Sequence, residues 1–328
     1  MAVLKSKELK SLAARHLEET SSEPRKLVFI HTGIIVGMSL LFTALNLLLN
    51  DQIGTTGGFS GLGLRSVLQT AQTVLSYCSS LITPFLQAGL LYAMISIARS
   101  QEATPRSLLR GFQRFGQILG YQLWQMLITM ALAFGLMYAA SFLFVLTPFA
   151  GDFLDILEPL MTSGELLLAD GTINVDLLPV EQMFSAMVPL LLMSAALLIP
   201  VHTWVRYHLR MTSFLLVEGE HRGAVGSMLV SMKLMKGHKW QLLKLDISFW
   251  WYYLLEALLM VVLWLDVLLP LFGVPLPVDS TTALFIATGL YGLLELGLHL
   301  WKKPQVDLTY ACAYEAIYRE YVPAENNP

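Results

Sequence analysis

The chain has 328 residues; 55% are hydrophobic, only 14% are charged, and the mean hydropathy is +0.60. An average soluble domain carries about 25% charged residues, so this chain lacks the polar surface that water demands. Its 21 Lys+Arg against 24 Asp+Glu leave no basic excess for a nucleic acid, and the composition equally excludes disorder, collagen and a coiled coil.

What remains is an all-α, polytopic membrane bundle of about six spans with interfacial amphipathic helices. In chain order, residues 1–26 come first. Leu9, Leu12, Ala13 and Leu17 recur at helical spacing among basic residues, which predicts a basic amphipathic helix. A bilayer core about 30 Å thick needs roughly 20 apolar residues per span. Six runs qualify: 27–49, 67–98, 118–147, 183–206, 247–269 and 281–301. Together they make a membrane domain over 27–301, followed by a tail over 302–328. The first run is too long for the apolar part of a secretory signal and reads as an uncleaved anchor. Its Gly33 and Gly37 form a GxxxG that permits close packing. The second and third runs exceed the bilayer and must tilt, kink or extend. Pro84 is the expected kink of the second, and Pro189 and Pro200 bend the fourth.

The connecting segments carry their own signals. GGFSGLG at 57–63 lacks the Lys-Ser/Thr of a phosphate loop and reads as an exterior linker. In 105–119, helical spacing puts Arg106, Arg110, Arg114 and Gln117 on one face and Leu108, Leu109, Phe112, Phe115 and Leu119 on the other. That predicts an interfacial helix. Residues 148–182 hold seven acids and no Lys or Arg, which fits a solvated loop better than a calcium site. Between the fourth and fifth runs, Met228, Met232 and Met235 form a stripe beside Lys233, Lys236 and Lys239. Arg106, Arg110, Arg114, Lys233, Lys236 and Lys239 are the candidate lipid-headgroup contacts. They either recognise a lipid or partner helix, or rest on headgroups as basic loops do.

Charge sets the orientation. Lys+Arg number 6 in residues 1–26, 1 in the first loop, 4 between the second and third runs and 0 in the next loop. They number 7 from 206 to 246, 0 between the fifth and sixth runs and 3 in the tail. Basic residues near span ends stay in the cytoplasm. Both termini are therefore expected inside.

Polar residues inside spans need a reason, since each ionisable group there costs about 2.5–3.5 kcal/mol on insertion scales. Glu256 lies near mid-depth of the fifth run. Glu295 and His299 share one face of the sixth, and His202 and Arg206 share one face of the fourth. If the fourth and sixth spans touch, Arg206 meets Glu295 with the two histidines beside them. Two readings stand: a proton- or ion-coupled site with Glu256 as its deep carboxyl, or an interhelical clip. No HExxH, GxSxG, Walker A, CxxC or paired Asp-rich motif occurs, so no catalytic residue, cofactor or metal is expected. Cys78 and Cys312 are expected at different depths and unpaired.

The stretch SMKLMKGHKWQLLKLDISFWW carries a resemblance. Ser231, Leu234, Met235, Lys236 and Gly237 match a Ser-x-x-Leu-Met-Lys-Gly segment, and Leu245, Ser248, Phe249 and Trp251, here spaced Leu-x-x-Ser-Phe-x-Trp, resemble the Leu, Ser, Phe and Trp that open the following span. KELKSLAARHL near the start and TYACAYEAIY near the end match as well. The chain resembles a family of multi-pass membrane proteins, bacterial and mostly Gram-positive, defined only as a domain of unknown function. One departure is Pro270-Leu271, where the pattern has Pro-Tyr. The resemblance implies an all-helical fold in a bacterial plasma membrane and no established activity. The expected role is non-enzymatic handling of a lipid or amphiphile, or service as an accessory subunit of a transport system. Membrane lipids, a membrane-protein partner or a second copy are the expected partners, and nucleic acid is not. A small proton- or ion-coupled secondary transporter is the alternative, and an intramembrane enzyme a more distant one.

Overall fold

A computed structural model describes residues 5–20, 22–55, 62–162, 180–219, 223–264 and 280–325. Among these residues every regular element is helical. The core of the 57–63 linker, residues 163–179 of the acidic loop and the Pro270-Leu271 departure lie outside the described residues.

The order is α1 (Ser6–Glu19), α2 (Pro24–Thr55), α3 (Leu62–Ala98), a 3-10 turn (Pro105–Leu109), α4 (Arg110–Gln113), α5 (Phe115–Val145) and α6 (Pro148–Thr162). Then come α7 (Val180–His208), α8 (Thr212–Glu218), α9 (Gly223–Leu234), α10 (Lys239–Ile247), α11 (Trp250–Leu263) and α12 (Ser280–Glu325). Among the described residues, five stretches are long and apolar enough to cross a membrane: Pro24–Leu49, Ser80–Ala98, Phe115–Val145, Ser185–Glu218 and Ala283–Tyr321. The pair Lys239–Ile247 and Trp250–Leu263, bent by 64°, makes a sixth if counted as one span. This is an all-α bundle compatible with a multi-pass membrane protein.

Local chemistry explains where the helices stop. α3 ends in a Schellman motif: Gln101 N–H donates to Ser96 O at 2.8 Å and Ser100 N–H to Ile97 O at 2.9 Å, with Ser100 at φ 58°. α8 closes on Gly219 at φ 72°, whose N–H donates to Leu215 O. At the other terminus of α1, the Glu8 carboxylate accepts the Lys5 N–H at 2.8 Å, half of a capping box.

The chain divides into two compact units. The first comprises Met1–Gly120 and Leu209–Pro328, the second Tyr121–His208. In the first, α12 does not stop at Trp301 but runs through the expected tail to Glu325. Its stretch over 306–317 is the centre of the core: Leu308, Ala311, Ala313, Tyr314 and Ile317 are all buried. Around it packs α1 through Leu9 and Ala13; α10, whose Leu242 and Leu245 are buried, packs on α1 and is tied to α12 by the Tyr310 hydroxyl on Asp246. Phe214 of α8 stacks on Tyr314 at 5.0 Å between ring centroids.

α3 is held to the next segment by backbone-to-backbone approach. A Cβ on Gly89 would lie 1.9 Å from Leu108 O, and one on Gly111 would lie 1.9 Å from Phe85 O. Only hydrogen fits at either position. This approach rearranges the helix expected over 105–119. Pro105 opens a 3-10 turn, and Arg114 at φ −107°, ψ 28° leaves the helical region, so the run is broken rather than one amphipathic helix. Leu108 is consequently buried against α3, while Leu109, Phe112 and Phe115 are exposed.

Two further packing expectations resolve differently. Gly33 and Gly37 have nothing within 4 Å of a built Cβ, and the close approach is made by Gly292 of α12, whose Cβ would meet Val36 Cγ1 at 2.5 Å. The Met stripe divides within and beyond α9, which ends at Leu234. Met228 and Met235 are buried, and Met232 is exposed.

In the second unit, α5 from Tyr121 and α7 are apolar around most of their circumference, while α6 is amphipathic. Met126, Phe134, Phe142, Leu192 and Ile199 are exposed. The acids Asp152, Asp155 and Glu158, expected in a loop, sit on the exposed face of α6.

Candidate functional site

The first unit gathers its ionisable groups into three clusters on α12. The first begins on α2. Thr32, fully buried, places its hydroxyl 3.1 Å from His299 Nδ1, and His299 Nε2 lies 3.3 Å from Glu256 Oε1 of α11. Tyr252, one turn before Glu256, donates its hydroxyl to the same oxygen at 2.5 Å. Glu295 approaches His299 Nε2 at 3.9 Å from one turn earlier on α12. Lys303 and Asp307 face each other at 3.9 Å further along that helix. His31, 2% exposed, completes the group, and neither of its ring nitrogens is hydrogen-bonded among the described residues.

Glu256, Glu295 and His299 are therefore brought together, and Thr32, Tyr252 and His31 join them. His202 and Arg206 belong to α7 in the second unit, half-buried and exposed respectively. A chain of hydroxyl, imidazole and carboxylate of this kind fixes the imidazole's orientation from both ring nitrogens. It is able to relay a proton or to lock three helices together.

The second cluster sits at the α10–α11 bend. Arg210 clamps Asp246 through both guanidinium nitrogens, at 2.6 and 2.9 Å. The Tyr310 hydroxyl donates to Asp246 and lies 2.6 Å from that of Tyr253, while Arg210 stacks over the Tyr310 ring at 4.7 Å. At the bend itself, Lys10 of α1 donates to the freed Ser248 carbonyl at 2.7 Å and covers the Phe249 ring at 3.9 Å. A cation at a helix C-terminus satisfies an orphan carbonyl and opposes the helix dipole. Burial, and then the nearby Lys302, push the Lys10 ammonium below the ordinary lysine range.

The third cluster closes the junction of α3 and α8. Arg99 contacts Glu315 at 2.6 Å and pairs with Glu218, which also accepts the Tyr314 hydroxyl. Burial opposes the Arg99 charge. The Glu315 hydrogen bond and the charges of Glu218 and Glu315 outweigh it and hold the guanidinium pKa above its usual value.

Sequence reasoning did not single out these last two clusters. A signal existed in TYACAYEAIY, where Tyr310 and Tyr314 lie one turn apart in a segment too apolar for a solvated tail. The stretch over 231–237 also finds a physical account. Ser231 Oγ accepts the Met211 N–H at 3.1 Å, Leu234 and Met235 are buried, and Gly237 takes φ 94°, a left-handed conformation that favours glycine.

The candidate headgroup residues divide by environment. Arg106, Lys233 and Lys236 are exposed, and Lys239 is half-buried. Arg110 donates to Gln113 at 2.7 Å and covers the Tyr92 ring at 5.2 Å. The Arg114 guanidinium lies against Gly219, where a Cβ would meet it at 2.0 Å. Between the first turn of α1, α10 and the end of α12 lies a cavity of about 380 Å³ with three lysines at its rim. Among the described residues no three His, Cys, Asp or Glu side chains are arranged to hold a metal.

The fold and its clusters define a class: an all-helical protein with, among the described residues, five or six membrane-capable helices, whose first unit gathers part-buried ion pairs along one long helix. Residues 1–319 match the family described as "Protein of unknown function (DUF975)", and the chain belongs to that family. No curated protein and no solved structure matches it.

Proposed function

We propose that this is a non-enzymatic, multi-pass protein of a bacterial plasma membrane, with both termini in the cytoplasm, that handles a lipid or amphiphile alone or as an accessory subunit of a transport system. The surface of α9 and α10 supports this reading. Exposed Lys233, Lys236 and Lys244 alternate there with exposed Leu229, Trp240, Ile247 and Trp250. Ammonium groups beside amphipathic rings suit a headgroup layer. Arg99 and Arg210, by contrast, are spent on internal carboxylates. Bulk lipid needs nothing more than such a surface; a handled molecule must stay bound when bulk lipid is stripped. Native mass spectrometry of the full chain in mild detergent is expected to show one discrete lipid or amphiphile at fixed stoichiometry. Only heterogeneous annular lipid, washed out by more detergent, would refute the reading.

The Thr32–His299–Glu256 chain favours a second reading, proton- or ion-coupled transport. In proteoliposomes loaded with a pH-sensitive dye, a transporter collapses an imposed pH gradient and Glu256→Gln abolishes that leak. An unchanged gradient with the wild type leaves the cluster as a clip between α2, α11 and α12.

A further inference from the structure

The cavity between α1, α10 and α12 has a floor and a rim of opposite character. Its floor is Leu9, Leu242 and Ile317, side chains continuous with the core around α12. Its rim carries the exposed Lys5, Lys7 and Lys244. None of these three ammonium groups lies within ion-pair distance of a carboxylate among the described residues. Glu8, the acid in the first turn of α1, is turned to the Lys5 backbone N–H instead. The N-terminus of α1 opens on the same cavity through Ser6 and Lys7, and the first turn of a helix presents N–H groups and the positive end of its dipole.

Three cations without a carboxylate partner among the described residues, Lys244 also lying 5.8 Å over the Trp240 ring, above an apolar floor are complementary to one kind of molecule. An inorganic anion leaves Leu9, Leu242 and Ile317 unused, and a neutral hydrocarbon leaves the lysines unused. The volume, about 380 Å³, is near the small end of ligand pockets, which suits one hydrocarbon chain rather than the two of a membrane phospholipid. We propose that this cavity binds an anionic amphiphile with a single acyl chain, its head on Lys5, Lys7 and Lys244 and its chain along Leu9, Leu242 and Ile317. This rests on the amphiphile-handling reading above and names the ligand class for it.

The test uses the full chain, delipidated in a neutral detergent, with oleate as probe and calorimetry as readout. Dioleoylphosphatidylglycerol and inorganic phosphate serve as the two-chain and headless comparators. Wild type is expected to bind one oleate per chain. The triple variant Lys5→Gln/Lys7→Gln/Lys244→Gln is expected to bind it about tenfold more weakly, the combined effect of three exposed charge contacts. Arg15→Gln/Arg25→Gln removes exposed charge outside both this cavity and the α9–α10 surface and is expected to change affinity less than about twofold. Lys5, Lys7, Lys244, Arg15 and Arg25 are all exposed, so an unaltered thermal transition verifies folding in each variant. Equal oleate affinity in wild type and triple variant would overturn the cavity assignment, as would an equal loss in the control pair. Inorganic phosphate that competes as well as oleate would reduce the site to an anion site and overturn the amphiphile. Phosphatidylglycerol binding without oleate binding would sink the cavity and leave lipid handling standing. Binding of neither lipid would end both.

Discussion

The two units of this protein use similar amino acids to opposite ends. In the first, the apolar windows of Pro24–Leu49, Ser80–Ala98 and Ala283–Tyr321 are 22%, 56% and 28% buried inside the protein; those of Phe115–Val145 and Ser185–Glu218, which lie mostly in the second, are 11% and 0% buried. All five stretches are apolar enough to cross a bilayer. The difference lies in small and polar residues. Lipid is as apolar as leucine, so helices in a membrane associate through close packing and hydrogen bonds rather than through hydrophobicity. The first unit supplies both, with Gly89 and Gly111 at backbone contact and carboxylates clamped by Arg99 and Arg210. Gly135 of α5 and Gly151 of α6 meet nothing within 4 Å. Apolar composition commits a helix to leave water; it does not say whether protein or lipid receives it.

This contrast is open to attack by mutation, most forcefully at the glycines. Gly89→Ala and Gly111→Ala each drive a methyl into a carbonyl 1.9 Å away, and each is expected to cost about 3 kcal/mol or more in thermal unfolding in detergent. Gly135→Ala, in open space on a helix, is expected to stabilise by up to about 1 kcal/mol. Equal effects at the two sites would erase the distinction between the units.

Ion pairs come next. Arg99→Met removes the cation that Glu218 and Glu315 share, whose side chains are only 4% and 11% exposed, and leaves Glu315 the mostly exposed Arg319 at 3.7 Å. The loss is expected near the lower end of about 3–5 kcal/mol, because the Arg99 side chain is itself 30% exposed and partly screened. Chemical denaturation with Arg206→Met as the second-unit control reads this directly, since Arg206 is exposed. A smaller effect of opposite sign is expected at Ser100, whose φ of 58° glycine adopts freely. Ser100→Gly is expected to raise stability by about 1 kcal/mol, visible as a higher melting temperature. The smallest effect belongs to Phe142 of α5, 69% exposed: Phe142→Ala is expected to stay within about 0.5 kcal/mol in detergent. A large loss there would mean that the face is covered by protein.

The resemblance noted over 231–251 is legible because its residues meet local demands. Gly237 needs a left-handed backbone, and Ser231 holds the Met211 N–H. The carboxyl cluster was half legible. Glu295 and His299 announce themselves by sitting one turn apart in an apolar run. Thr32 and His31, equally buried, look like ordinary residues near the start of a span until α2 is laid against α12. Arg99, Glu218 and Glu315 lie at the edges of apolar segments, where charge is unremarkable in a sequence. Their partnership spans 216 positions between Arg99 and Glu315, and no local periodicity encodes a contact at that separation.

By itself, the amino-acid order determined the helical class, the six apolar runs and the uneven distribution of lysine and arginine. Each follows from local physics: the length of hydrocarbon to be crossed and the cost of carrying charge through it. Tertiary structure alone decided that residues 302–325 continue α12, with 306–317 in the core, rather than hang as a tail, and that 105–119 breaks into turns around Gly89 and Gly111. It also decided that Lys5, Lys7 and Lys244 gather over one apolar floor. Those outcomes turn on which surfaces meet across hundreds of residues, and hydropathy, being a sum over neighbours in the chain, carries no information about that.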